Sequence, residues 1–280
     1  LSGAGGLTVN GGTETLSGDN TYKGATVVHG GTLQIDGNQS AATGATTVDS
    51  GATLAGSGTV GGNVTVKSGA ILSPGASAQG AGTLTIGGNL TLAQGSIQNW
   101  NLGEANVAGG NYNDLVAVKG DLVLGGTLNV STALGGPDVV GGALEAGIYR
   151  LYTYGGSLSG VNNQKLGDIA QGNNTLALQT VINHQVNLVV GNDSLNFWDG
   201  GASSNHGSDG SSGDGSVNGG NGVWTALNGA GDNNWANANG TRNMPWHTGA
   251  MAIFEGSAGT VRVQDTDVSG AAAPVSVSGM

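Results

Sequence analysis

The chain has 280 residues, 57 of them glycine, no cysteine, and a net charge of −11. The absence of cysteine rules out disulfides, zinc–thiolate sites and thiol nucleophiles together. Seven Lys and Arg against eighteen Asp and Glu leave no basic stripe for phosphates or anionic lipid, which argues against nucleic-acid and membrane-surface binding.

The remaining composition points to strands. Val, Leu and Ala sit beside abundant Thr, Asn and Ser, a mix suited to short pleated segments joined by tight turns. Glycine interrupts most ten-residue windows and costs about 1 kcal/mol in a helix interior, so long helices are not expected. No apolar run reaches the roughly 18 residues of a membrane-spanning helix. The start, Leu1-Ser2-Gly3-Ala4, is not a signal peptide, so for an exported protein the targeting segment is expected outside this sequence.

In chain order, the first signal is a repeated unit: a β-branched residue or Leu, a turn with Gly, then a second short apolar strand. It reads Val28-His29-Gly30-Gly31-Thr32-Leu33, Val48-Asp49-Ser50-Gly51-Ala52-Thr53-Leu54 and Val66-Lys67-Ser68-Gly69-Ala70-Ile71-Leu72. Ile86-Gly87-Gly88-Asn89-Leu90-Thr91-Leu92 reads as a fourth copy and Val118-Lys119-Gly120-Asp121-Leu122-Val123-Leu124 as a fifth. The first four start about 20 residues apart, a solenoid period. Short alternations such as Thr32-Leu33-Gln34-Ile35 and Val64-Thr65-Val66 mark strands with one buried face. Locally a hairpin meander would look the same, but the regular period favours coiling. About 20 residues make three short strands and three turns, one rung of a parallel β-helix.

Leu16-Ser17-Gly18-Asp19-Asn20-Thr21-Tyr22-Lys23-Gly24-Ala25-Thr26-Val27-Val28-His29-Gly30-Gly31-Thr32-Leu33-Gln34-Ile35 closely resembles the autotransporter-associated β-strand repeat, with Ala25 where the pattern has its first Thr. Gly56–Val64, Leu72-Ser73-Pro74-Gly75, Asn113–Val118 and Ile148–Gly155 also resemble passenger sequence of autotransporters. That resemblance implies a right-handed parallel β-helix with Gly/Asn-rich turns, displayed at or released from the bacterial cell surface by an outer-membrane β-barrel of the parent chain. It implies an export scaffold or stalk, with adhesion through self-association or through host and extracellular surface ligands.

From Ala93 to Gly120 the spacing stretches, which reads as an insertion or a lengthened rung in which Trp100 packs locally. The β-helix repeat region is expected over 1–191 and a Gly/Ser/Asn/Asp-rich loop or linker over 192–222. A Trp-containing start of a further β-solenoid module follows over 223–280. In the loop, Asp209, Asp214 and Asn218 offer oxygen ligands for calcium, but the repeated calcium nonapeptide is missing, so no metal is expected. In the last segment Gly222-Val223-Trp224, Asn233-Asn234-Trp235, Trp246, Ala252–Gly256 and Gly259–Val263 resemble the opening of another passenger module. Packing is the first reading of its aromatics. Glycan contact through Trp224, Trp235 and Trp246 is the second.

Chemistry is hard to find. Asp36, Asp49 and Asp121 sit at turns, where Asp is favoured for backbone reasons. Arg150, Arg242 and Arg262 are far apart, and His29 occupies a turn position where other copies carry Asp or Lys. There is no nucleophile elbow, no His-Glu-x-x-His metal motif and no phosphate loop in the required strand–helix context. The expectation is therefore a non-enzymatic chain without catalytic residues, cofactor or metal. A glycan-binding or polysaccharide-acting module on a β-helix is the alternative.

Overall fold

A computed structural model describes residues 1–75, 80–191, 194–200, 202, 212–225, 233–246, 249–264 and 275. These fall into two units, Leu1–Gly172 with His184–Asn187, and Asn173–Asn183 with Leu188–Met280. Among the described residues there is no α-helix; a 3-10 turn lies at Val161–Asn163. Among these residues no helix is long and apolar enough to cross a membrane. The expectation of an all-β chain with parallel pairing holds.

In the first unit the chain visits three parallel sheets in turn, the first circuit contributing strands to two of them. The first sheet stacks Leu7–Val9, Thr26–Val28, Thr46–Val48, Val64–Val66, Leu90–Leu92, Leu122–Val123 and Leu158–Ser159. The second stacks Thr13–Leu16, Thr32–Ile35, Thr53–Gly56, Ile71–Pro74, Ile97–Leu102, Gly126–Thr132 and Gln164–Ile169. Within this unit the third runs Asn38–Gln39, Thr59–Val60, Thr83–Ile86, Leu115–Val118 and Gly147–Tyr154. Each strand pairs with its counterparts one circuit earlier and one later, so backbone hydrogen bonds run from circuit to circuit.

Alternation within each strand builds the core. In the second sheet Leu33, Leu54 and Leu72 lie in register and are at most 1% exposed, while Thr32 and Thr53 beside them face outward. Val28, Val48, Val66 and Leu92 form the matching column of the first sheet. Each buried Val or Leu contributes about 1.5–3 kcal/mol of transfer free energy.

The period differs from the one read in sequence. Register partners Leu7 and Thr26, Thr26 and Thr46, and Thr46 and Val64 lie 19, 20 and 18 residues apart. Val64 and Leu90, Leu90 and Leu122, and Leu122 and Leu158 lie 26, 32 and 36 apart. The units at Ile86 and Val118 are therefore not further copies of the corner at Val28, Val48 and Val66. They turn from the third sheet into the first, whereas the earlier three turn from the first into the second. Both corners join two apolar strands through Gly, so local chemistry does not distinguish them.

The added residues form longer strands and excursions. One excursion, residues 103–113, is closed by the fully buried Asn113. Its Oδ1 accepts from the Gly103 and Glu104 N–H groups at 3.0 and 3.1 Å, and its Nδ2 donates to the Glu104 and Val107 carbonyls. The other carries an antiparallel hairpin, Val139–Val140 with Ala143–Leu144. Inside the longer circuits large aromatic side chains enter the core, Trp100 in register with Val130 and Tyr152 with Val116. Trp100 is 1% exposed and lies 5.1 Å from the Tyr152 ring, as its expected packing role requires.

In the second unit Leu195–Trp198 pairs in parallel with Met251–Ile253, and Gly222–Thr225 with Val261–Gln264. Trp235–Ala236 adds antiparallel to Leu195–Trp198, and Asn243–Met244 adds antiparallel to Trp235–Ala236.

Candidate functional site

The aromatic side chains of the second unit converge. Trp198, Trp224, Trp235 and Trp246 form one core with Ala250 and Ala252, flanked by Met244, Val261 and Val275. Local order places them. Trp198 ends its strand, Trp224 lies within the next, and Trp235 opens the short strand that folds back on Trp198. Ring centroids of Trp224 lie 4.9 Å from Trp235 and 4.7 Å from Trp246, both edge to face. Trp198 meets Trp235 edge to face at 5.2 Å. Such pairs contribute about 0.5–1.5 kcal/mol each beyond area burial. The Trp198 Nε1–H donates to the Gly220 carbonyl at 2.9 Å, which ties the cluster to the 219–221 loop.

Trp224, Trp235 and Trp246, named from sequence as possible glycan contacts, are 3%, 1% and 2% exposed. Their ring faces are covered by one another, and a covered face offers no sugar platform. The exposed ring of the cluster is Phe254, at 46%, with centroids 6.1, 6.0 and 5.7 Å from Trp198, Trp224 and Trp235. Its sequence context, Ala252-Ile253-Phe254, reads as one continuous buried strand. Only the end of the strand at Ile253 turns the ring outward.

Of the calcium candidates, Asp214 and Asn218 are among the described residues. Asp209 lies outside the described residues, as do His206 and His247. Asp214 and Asn218 do come together, around Asp199, which the sequence reading did not single out. Asp199 Oδ1 accepts from the Asn218 N–H at 2.8 Å, and Asn218 Nδ2 donates to Asp214 Oδ2 at 2.9 Å. Burial pushes the Asp199 carboxyl up to about 6, and the Asp214 charge adds to this against the Asn218 hydrogen bonds. Among the described residues no cluster of three or more His, Cys, Asp or Glu is placed to hold a metal ion.

The turn acids of the first unit are structural in their contacts. Asp49 accepts from His29 Nδ1 at 2.6 Å and from Lys67 Nζ at 2.7 Å, so the three residues that alternate at this turn in sequence stack as a hydrogen-bonded column, with Lys67 and Asp49 as its ion pair. These hydrogen bonds hold the Asp49 carboxyl below its ordinary range. Asp121 is held low by the Ser157 N–H and hydroxyl. Asp36 accepts from Gln34 Nε2 at 2.6 Å.

Comparison with known proteins agrees with this architecture. Residues 10–35 match the family described as the passenger-associated-transport-repeat. Over 271 residues, 95% of its length, the chain is 48% identical to the protein named Adhesin BmaC autotransporter from Brucella suis biovar 1 (strain 1330). The chain spans 7% of the length of that relative. Residues 10–35 thus match a passenger-associated transport repeat, within a chain that is similar over nearly its whole length to part of an autotransporter adhesin.

Proposed function

We propose that this chain is a structural segment of an autotransporter passenger, acting as export scaffold or stalk and taking part in adhesion through self-association or contact with extracellular surface ligands. Passengers of this kind reach the outside through the outer membrane and are surface-exposed or released. The observation that carries the reading is the serial order of the first unit, in which successive circuits add parallel strands in turn to the same three sheets. We take this as a right-handed parallel β-helix, with a further module following it that already includes the Leu195–Trp198 strand. Stability in such an array is nearest-neighbour, so folding outside the cell proceeds circuit by circuit without disulfides. An outer-membrane β-barrel of the parent chain is the expected partner in export. Catalysis is not part of this role, since the acids described above are committed to turns.

Deleting residues 1–172 from the parent protein tests the proposal. Surface display of the remaining passenger and settling of the expressing cells should both fall. Unchanged display together with unchanged settling would refute a scaffold and adhesion role for this segment.

A further inference from the structure

Beside the tryptophan core lies a cleft of about 320 Å³ lined by Trp198, Phe254, Glu255, Ser257 and Val261, with glycines 219, 220, 256 and 259. This lies at the lower end of the roughly 300–1,000 Å³ usual for small-molecule sites. Its two walls are held together before any ligand arrives. The Gly220 N–H donates to the Ser257 carbonyl and the Ser257 N–H to the Asn218 carbonyl, both at 2.8 Å. The Thr260 N–H donates to Asn221 Oδ1 at 2.7 Å. A side chain at Gly219, Gly256 or Gly259 would overlap the backbone of the facing loop, so the walls approach this closely only because they are bare. At Gly220, by contrast, an added Cβ would meet open space.

We propose that this cleft binds a neutral sugar ring, seated on the free face of Phe254. The phenyl ring is supported from behind by three tryptophans yet remains 46% exposed, a rigid apolar plate of the kind that matches the C–H face of a pyranose. The surrounding Gly backbone and the Ser257 hydroxyl supply donors and acceptors for a ligand rich in hydroxyls. The lining holds one acid and no Lys, Arg or His, and the chain carries a net charge of −11, so neutral saccharides are favoured over sialylated or sulfated ones. The proposal goes beyond the scaffold reading and is independent of it. Failure here leaves the deletion experiment untouched.

The 280-residue chain is probed on an array of neutral and sialylated oligosaccharides, and neutral hits are titrated with Phe254→Ala, Phe254→Leu and Val263→Ala. Val263 is a second exposed apolar residue, 54% accessible, that does not line the cleft. Neutral-sugar binding should weaken roughly three- to tenfold in both Phe254 variants, the usual worth of one aromatic contact, and stay unchanged in Val263→Ala. Near-ultraviolet circular dichroism of the tryptophan core should be preserved throughout. Phe254→Leu keeps an apolar side chain against the core, so the test survives if the alanine variant unfolds. Absence of neutral-sugar binding, preference for sialylated glycans, or equal weakening by Val263→Ala would each overturn the proposal.

Discussion

Asp114 is fully buried, and three N–H groups point at its two oxygens: Gly82 N at 2.9 Å on one, Asn101 N at 2.7 Å and Asn101 Nδ2 at 3.3 Å on the other. Burial nonetheless dominates and pushes the carboxyl from 3.8 up to about 7. Below about pH 4 the group is protonated in folded and unfolded chains alike and has no effect on stability. Between there and about pH 7 the unfolded chain has released a proton that the folded chain keeps, so stability falls as pH rises and then levels off. Asp49 and Asp121, held low, act in the opposite sense and only in more acidic solution, so they do not mask this window. Urea midpoints of the first unit should therefore drop between about pH 4.5 and pH 7.5, and the drop should shrink in Asp114→Asn. An identical slope in the variant would assign the effect elsewhere. Gln98 shows the same tension without charge. It occupies the column of Leu72 and Leu128, fully buried, and is tolerated because its Nε2 donates to the Gly125 carbonyl at 2.6 Å and its Oε1 accepts from Tyr152.

Among the structural elements, the corners carry as much information as the strands. Gly62-Asn63, Gly88-Asn89, Gly120-Asp121 and Gly156-Ser157 stack at the turn into the first sheet. Asn63 Oδ1 accepts the Asn89 N–H and Asn89 Oδ1 accepts the Asp121 N–H, each at 2.9 Å. Asp121 Oδ1 accepts the Ser157 N–H at 2.8 Å and its hydroxyl at 2.9 Å. A side chain at Gly88, Gly120 or Gly156 would overlap the oxygen that accepts the next bond, so Gly there is a steric requirement of the ladder. Gly44 makes the same point with backbone alone: an added Cβ would overlap the Gly24 carbonyl, which strands of adjacent circuits cannot move aside cheaply. Gly44→Ala should cost about 1–3 kcal/mol by chemical denaturation, as overpacking does. Gly11→Ala, where the Cβ meets open space, should stay within about 0.5 kcal/mol of the parent. Equal effects at the two positions would show that inter-circuit packing is not what selects glycine.

For the whole molecule, the two units have different means of cohesion. The first is held by in-register aliphatic columns and inter-circuit hydrogen bonds, the second by a compact cluster holding four of the five tryptophans. Tryptophan fluorescence therefore reports mainly on the second unit, while far-ultraviolet circular dichroism is dominated by the larger set of strands in the first. Denaturant midpoints from the two probes should differ, which is the standard sign of departure from two-state unfolding. Coincident midpoints would mean that the units unfold as one.

The sequence by itself determined the all-β class, the alternating burial of strands such as Thr32–Ile35 and Val64–Val66, and the first three circuits. Alternation and glycine turns are local, and Val28, Val48 and Val66 recur at equivalent corners. For Trp224, Trp235 and Trp246 it gave packing as the first reading, beside glycan contact. Only the tertiary structure decided that Ile86 and Val118 mark a different corner, because two turns with similar chemistry differ only in which sheet they feed. It likewise decided which ring reaches solvent. Trp224, Trp235 and Trp246 are covered by partners distant in sequence, whereas the strand ends just before Phe254, and exposure follows from packing that no local pattern encodes.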